Sequence, residues 1–165
     1  MNINFEDLAI RRFKTDDADE VSNLIIRNFM EVNIKDYGLD AVTELSKSFD
    51  SHHIIERSKY AHMYVIEYNK ELVTTGSISS YWRSETESIL LSIFVLPEYH
   101  GQGLGSLIIK TLENDELYKR ATRIEIPASI TAVDFYRKYG YDYKNNQKVL
   151  DNEGHYRLEK YKDIQ

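Results

Sequence analysis

Residues 94–112 read FVLPEYHGQGLGSLIIKTL. An apolar run ends at Pro97, and three glycines then alternate at Gly101, Gly103 and Gly105. After them Leu104, Leu107, Ile108 and Leu112 recur at helical spacing, with Lys110 and Glu113 facing outward. The stretch therefore predicts a strand, a glycine loop and a helix. Glycine lets main-chain N–H groups converge without a Cβ in the way, and a helix N-terminus carries roughly half a positive charge, so such a loop can hold an anion such as a pyrophosphate. Three glycines beside a helix cost about 1 kcal/mol each relative to alanine. A compensating use is expected, and a helix cap that happens to be glycine-rich is the alternative. Two other nucleotide loops fit poorly. A Walker loop needs Lys where Ser106 follows Gly105, and a dinucleotide fingerprint needs Gly or Ala at that same position.

Working outward, Ser88 to Leu96 predicts a central strand covered on both faces, with Ile89, Leu91, Ile93 and Val95 alternating against Leu90, Phe94 and Leu96. Met63 to Tyr68 and Leu72 to Ser80 predict a hairpin turning at Asn69 and Lys70. Earlier still, Leu8 and Ile10 mark a short strand. Thr15, Asp16 and Asp17 offer helix caps, with Glu20 placed as in a capping box, and Ala18, Val21, Leu24, Ile25, Phe29 and Val32 form one buried stripe. Leu39, Val42, Leu45 and Phe49 repeat the pattern in a second helix that runs on through Ile54 and Ile55. Downstream, Arg123 to Ala128 reads as a strand and Thr131 to Tyr139 as a helix closed by Gly140. Tyr141 to Tyr143 and Tyr156 to Tyr161 are two last strands about a turn at Asn145 and Asn146. The order β α α β β β α β α β β is that of a mixed α/β domain around one sheet.

The chain of 165 residues suffices for one core, and no repeat, linker or low-complexity run divides it, so a single domain over 1–165 is expected. Lys and Arg number 21 against 27 Asp and Glu, a formal charge of −6 that disfavours nucleic acid as a partner. The same charge suits cationic small molecules such as amines, and equally suits solubility alone. Cysteine is absent, which removes disulfides, thiol nucleophiles and Cys-based zinc sites together. No stretch approaches ~18 consecutive apolar residues and the N-terminus lacks an apolar signal core, so a cytoplasmic protein with no membrane partner is expected.

Residues 94–112 resemble the acetyl-CoA signature of the GNAT superfamily of N-acetyltransferases, in which a strand ending in V-x-P precedes [QR]xxGxG[GA]. A second block, SITAVDFYRKYGYDY at 129–143, resembles that family's later helix, with Ala132, Phe135, Tyr136, Gly140 and Tyr141 on matching positions. The strong match spans 88–143. His100 stands where the family usually has Arg or Gln, and Ser129 where many members have Asn. The resemblance implies a single-domain GNAT fold: a central, mixed, mostly antiparallel sheet flanked by helices and splayed at the acetyl-CoA site.

Transfer from a thioester to an amine needs a phosphate cradle, an oxyanion donor, a proton acceptor for the amine and an acid for the thiolate. The resemblance implies that His100, Gly101, Gln102, Gly103, Leu104, Gly105, Ser106 and Ser129 hold the cofactor. It implies too that Ile93 and Val95 pair with the pantetheine arm, the Val95 N–H polarising the thioester, and that Tyr136 is the acid. A phenol keeps its proton at neutral pH, with an ordinary pKa of ~10. Independently, Pro127 cannot donate to a sheet ladder, so its strand should part from the central one nearby. Glu87, with Glu85 behind it, is the candidate base, acting directly or through water. His52, His53 and Glu56 are not read as a metal cluster, because adjacent histidines project apart on a helix; no metal is expected. Tyr37, Tyr81 and Trp82 are candidates for lining the acceptor pocket, and the loops at 33–40 and 81–87 for choosing the acceptor. Without Cys to carry an acyl group, direct transfer from acetyl-CoA to a primary amine of a small molecule or peptide is expected. A non-catalytic CoA or acyl-CoA sensor is the alternative, and a homodimer through the late strands is the family analogy.

Overall fold

The computed structural model describes residues 2–162. Seven strands build one sheet: β1 (Leu8–Arg12), β2 (His62–Tyr68), β3 (Glu71–Ser80), β4 (Glu87–Val95), β5 (Arg123–Ala128), β6 (Asp142–Tyr143) and β7 (Tyr156–Tyr161). Their spatial order is β1-β2-β3-β4-β5-β7-β6, so β4 is central as its apolar sequence predicts. All neighbours are antiparallel except β4 and β5. At the β2–β3 turn Asn69 and Lys70 have φ of 51° and 68°, the paired positive values of a type I′ hairpin.

Helices cover the sheet. On one face lie α1 (Ala18–Asn28), α2 (Ile34–Tyr37), α3 (Leu39–Ser46) and α4 (Ser51–Ser58), and on the other α5 (Leu104–Glu113) and α6 (Glu116–Arg120). A short α7 (Val133–Arg137) follows β5. The α1 stripe of Val21, Leu24 and Ile25 is buried, as are Leu104, Ile108, Ile109 and Leu112 of α5. Each such side chain removed from water contributes about 1.5–3 kcal/mol. Ile109, rather than the expected Leu107, completes the buried face of α5. Among the described residues no helix is long and apolar enough to cross a membrane.

Several expectations change on contact with the structure. Asp17 does not form a capping box with Glu20. Its carboxylate instead takes two hydrogen bonds from Arg11, each 2.8 Å, and one from Lys14 N, while Glu20 accepts from Leu72 N. Tertiary partners outcompete the local cap. The second helix breaks at Asp50, whose extended backbone and side chain cap α4 through His53 N. Residues 33–37, read as loop, are helical: one π turn, Phe29–Asn33, joins α1 to α2, and Gly38 with φ 82° ends the run. That wider turn buries Asn33 in place of Val32. The last two strands do not meet at a tight turn, since a bridge between Leu150 and Tyr156 and a loop through Gly154 intervene.

In β4 the strict alternation fails at Ser92, which has φ 54°. Thr75 pairs with Phe94 and Ser77 with Leu91, so β4 carries one extra residue, a β-bulge. Beyond it the faces exchange. Ser88, which bonds Leu117 O in α6, shares its face with Leu90, yet Phe94 turns to the opposite side and meets at 5.5 Å the ring of Phe29, the first residue after α1.

Candidate active site

The β4–β5 ladder holds only three pairs, Glu87 with Arg123, Ser88 with Ile124 and Ile89 with Glu125. From Leu90 onward β4 leaves β5, which stays with β7 as far as the pair of Ala128 and Tyr156. The split opens just before Pro127, as that residue's missing N–H predicts. Leu96 N bonds Val73 O at 2.8 Å. Successive N–H groups of a strand point to opposite sides, so the N–H groups of Val95 and Ile93 point away from β3, into the split.

At the end of β4 the chain turns through Gly101 and Gly103, with φ of 78° and 88°, into α5. The first intrahelical bond runs from Leu107 N to Gly103 O. The N–H groups of Leu104, Gly105 and Ser106 therefore have no intrahelical acceptor and face outward at the positive end of the helix. The glycines have separate reasons. Gly103 needs the left-handed backbone, and a Cβ there would lie 3.1 Å from the Phe5 ring. Gly105 has ordinary helical backbone, but its Cβ would lie 2.9 Å from Phe135 Cζ. The glycine loop and the later helix thus interlock ring against glycine, and Tyr136 follows directly on Phe135.

His100 does not reach toward the loop's helix. Its Nε2 lies 2.7 Å from Val95 O, which also accepts from Asn28 Nδ2 at 2.9 Å. That carbonyl, in the split, is committed to the protein, leaving the N–H of Val95 as its free main-chain group there. The Gln102 side chain is held too, with Oε1 accepting from Ile3 N at 2.8 Å. Tyr136 is 6% exposed and its hydroxyl makes no hydrogen bond among the described residues. Burial pushes the phenol well above its ordinary pKa, so it stays protonated. Ser129 starts the turn into α7, its carbonyl accepting from Ala132 N.

Glu87 is not gathered into this site. It begins β4, about 20 Å of extended strand before Ile93, and its Oε1 lies 3.3 Å from Arg123 Nη1. Arg123 in turn holds Glu159 at 2.8 Å and contacts Glu125. Glu125 is fully buried, yet its carboxyl is held below the ordinary range: burial alone would raise it, and the contacts with Arg123, Lys144 and Arg157 outweigh that. Lys144 Nζ stands at 2.9 Å and Arg157 Nη2 at 2.6 Å from it. Tyr81 covers this network, its ring beneath Arg123 and its hydroxyl 3.3 Å from Lys144 Nζ, whereas Trp82 is 85% exposed. Tyr37 lies at the other end of the split, its hydroxyl donating to Gly154 O at 2.7 Å. His53 pairs with Asp50 at the start of α4.

The sequence reading missed Asn28 and the Glu125 network. A signal existed for each. Asn28 continues the apolar stripe of α1 as its polar exception, and RIEIPA alternates charge with isoleucine, which marks a two-faced strand without telling whether the charged face is wet.

Comparison with known proteins agrees with this geometry. Among solved structures the chain is similar to the PaiA N-acetyltransferase of Thermoplasma acidophilum in complex with coenzyme A, with TM-score 0.79, 13% identity, and coverage of 94% of this chain and 99% of that one. It is also similar to a GCN5-related N-acetyltransferase of Rhodopseudomonas palustris, with TM-score 0.74, 19% identity, and coverage of 93% and 94%. An acetyltransferase of Streptococcus agalactiae gives TM-score 0.71 at 13% identity, covering 95% and 99%. At such identities these likenesses speak for the fold. No curated protein sequence matches the chain. A family model described as "Acetyltransferase (GNAT) domain" matches residues 33–161, which takes in the bulged strand, the glycine loop and the helix that locks onto it. With most of its length inside that match and its sheet split beside that loop, the chain belongs to the GNAT acetyltransferase family.

Proposed function

We propose that the protein is an N-acetyltransferase that moves the acetyl group of acetyl-CoA to a primary amine, on a small molecule or a peptide, by direct attack while both substrates are bound. The observation that carries the reading is the parting of β4 from β5 after three pairs, followed along the chain by a helix start whose first N–H groups lack intrahelical acceptors and whose Gly105 packs on Phe135, the neighbour of Tyr136. The coenzyme A bound by the Thermoplasma relative supports CoA as the acyl carrier.

In this reading the N–H groups of Leu104, Gly105 and Ser106 bind the pyrophosphate oxygens, and Ser129 and His100 border the loop. The Val95 N–H, with that of Ile93, donates to the thioester oxygen as negative charge develops there. The amine nitrogen attacks the thioester carbon; the C–N bond forms and the C–S bond breaks. Tyr136 passes its proton to the departing thiolate, and the amine loses its own to water. Tyr136→Phe tests the assignment because it removes one hydroxyl and almost no volume. Turnover should fall by roughly 10²-fold or more while acetyl-CoA affinity stays unchanged. Full turnover in that variant would show that another group is the acid.

A further inference from the structure

β1 ends the sheet, paired with β2 on one side and open on the other. Just past it, Phe13 N bonds Met63 O of β2 at 2.8 Å. Main-chain groups alternate sides along an antiparallel strand, so Ala9, Arg11 and Phe13 are bonded to β2, and Leu8, Ile10 and Arg12 turn theirs to the open edge. Two of those outward groups have partners already: Leu8 N donates to Phe5 O, and Arg12 O accepts from Arg11 Nη1 at 3.1 Å. Leu8 O, Ile10 N, Ile10 O and Arg12 N have none among the described residues.

Open edges are commonly blunted by proline, a bulge or lysine. β1 has none of these, and Arg11 turns its charge back onto Asp17 and Glu67. Ile10 is 43% exposed. At the far side of the sheet β6 offers an edge of only two residues. Charge along β1 reads in one direction. Glu6 and Asp7 stand exposed before the strand, and Arg12 and Lys14 stand exposed at and beyond its end, lining a surface cleft with Thr15 and Ser58. A stretch that is acidic, then apolar, then basic complements its own reverse.

We propose that β1 pairs antiparallel with β1 of a second copy, about a two-fold axis that sets Ile10 opposite its counterpart and joins the two sheets edge to edge. The free groups select this register. Each Ile10 N–H donates to the other Ile10 O, and each Arg12 N–H donates to the other copy's Leu8 O, so all four are used and neither committed group is needed. Moving the axis to Ala9 sets Ile10 O against the committed Leu8 N; moving it to Arg11 sets Ile10 N against the committed Arg12 O. The same register places Glu6 opposite the second copy's Lys14, with Arg12 diagonal to it. A foreign strand could match the main-chain groups, but the reversed charges favour a second copy of this chain.

The test uses the full chain, which contains no cysteine. Ile10→Cys places one thiol beside the axis, where facing Cα atoms of a hydrogen-bonded pair stand about 5.5 Å apart, within disulfide range. Mild oxidation should convert this variant to a cross-linked dimer. Ala9→Cys should cross-link far less, because the register separates its two copies by about 8 Å. Sedimentation velocity over micromolar concentrations should show a wild-type dimer. Ile10→Lys, which sets two ammonium groups face to face, should raise its Kd at least roughly tenfold. Glu6→Lys should weaken the dimer, and Glu6→Lys combined with Lys14→Glu should restore it. A wild-type monomer at every concentration, a dimer that Ile10→Lys leaves intact, or cross-linking at Ala9 as fast as at Ile10 would overturn the inference.

Discussion

Gly105→Ala separates two reasons for a glycine in the loop. If the residue is small so that phosphate can approach, alanine should weaken acetyl-CoA binding whatever stands at position 135. The structure points elsewhere, because the added Cβ would lie 2.9, 3.4 and 3.5 Å from Cζ, Cε1 and Cε2 of Phe135. Overpacking of this kind costs about 1–3 kcal/mol, and the better helix propensity of alanine returns up to about 1 kcal/mol. The net expectation is a loss of roughly 1 kcal/mol. In a Phe135→Leu background the ring is gone and the same substitution should stabilise by some tenths of a kcal/mol, so a double-mutant cycle by urea unfolding should show coupling of about 1–3 kcal/mol. Turnover should fall in Gly105→Ala, since Tyr136 shifts with its neighbour. Zero coupling, together with equal loss of acetyl-CoA affinity in both backgrounds, would refute the interlock.

Three other outcomes follow from the same geometry. Gly103→Asp puts a carboxylate at the start of α5, where the helix tolerates it and bound phosphate does not, so titration calorimetry should show acetyl-CoA affinity reduced at least roughly 10²-fold with a modest stability change. Gly103→Ala, which shares the φ of 88° and the contact with Phe5 but adds no charge, should lose much less. Acid should destabilise the fold in a defined window. Arg11 lowers the Asp17 carboxyl, and hydrogen bonds to Asp115 and Glu125 outweigh the burial that would raise theirs. Groups with lowered folded values contribute stability that is fully present above the ordinary carboxylate range and is lost as pH falls through it. Burial likewise lowers His155, so its contribution is complete above about pH 6.5 and declines below. Thermal midpoints should therefore hold from pH 8 to about 6.5, slip slightly, and drop steeply below about pH 4; a flat profile down to pH 3 would contradict it.

What was legible in the sequence was what depends on local pattern. The β4 run, the Asn69-Lys70 turn and the glycine loop follow from periodicity and backbone preference, which act over a few residues. Pro127 foretold the split because a missing N–H has the same consequence in any sheet. What escaped was decided by partners far along the chain. Asp17 gave up its cap to Arg11, and the π turn after Asn28 rotated Asn33 inward over Val32. The bulge at Ser92 exchanged the faces of β4, which no alternation of Ile and Leu can announce. Glu87 was chosen for its nearness to the central strand in sequence, but an extended strand turns six residues into about 20 Å, and Arg123 claims the carboxylate first.

The most direct test of acetyl transfer is a mass balance on the unmodified protein. Acetyl-CoA and each primary amine are incubated with it, and free CoA, acetylated amine and the intact protein are quantified together. Direct transfer predicts equal amounts of free CoA and N-acetylated product from at least one amine, with the protein mass unchanged when acetyl-CoA is added alone. An acetylated protein formed without amine would contradict direct attack, and tight acetyl-CoA binding with no acetylated product from any amine would contradict acetyl transfer itself.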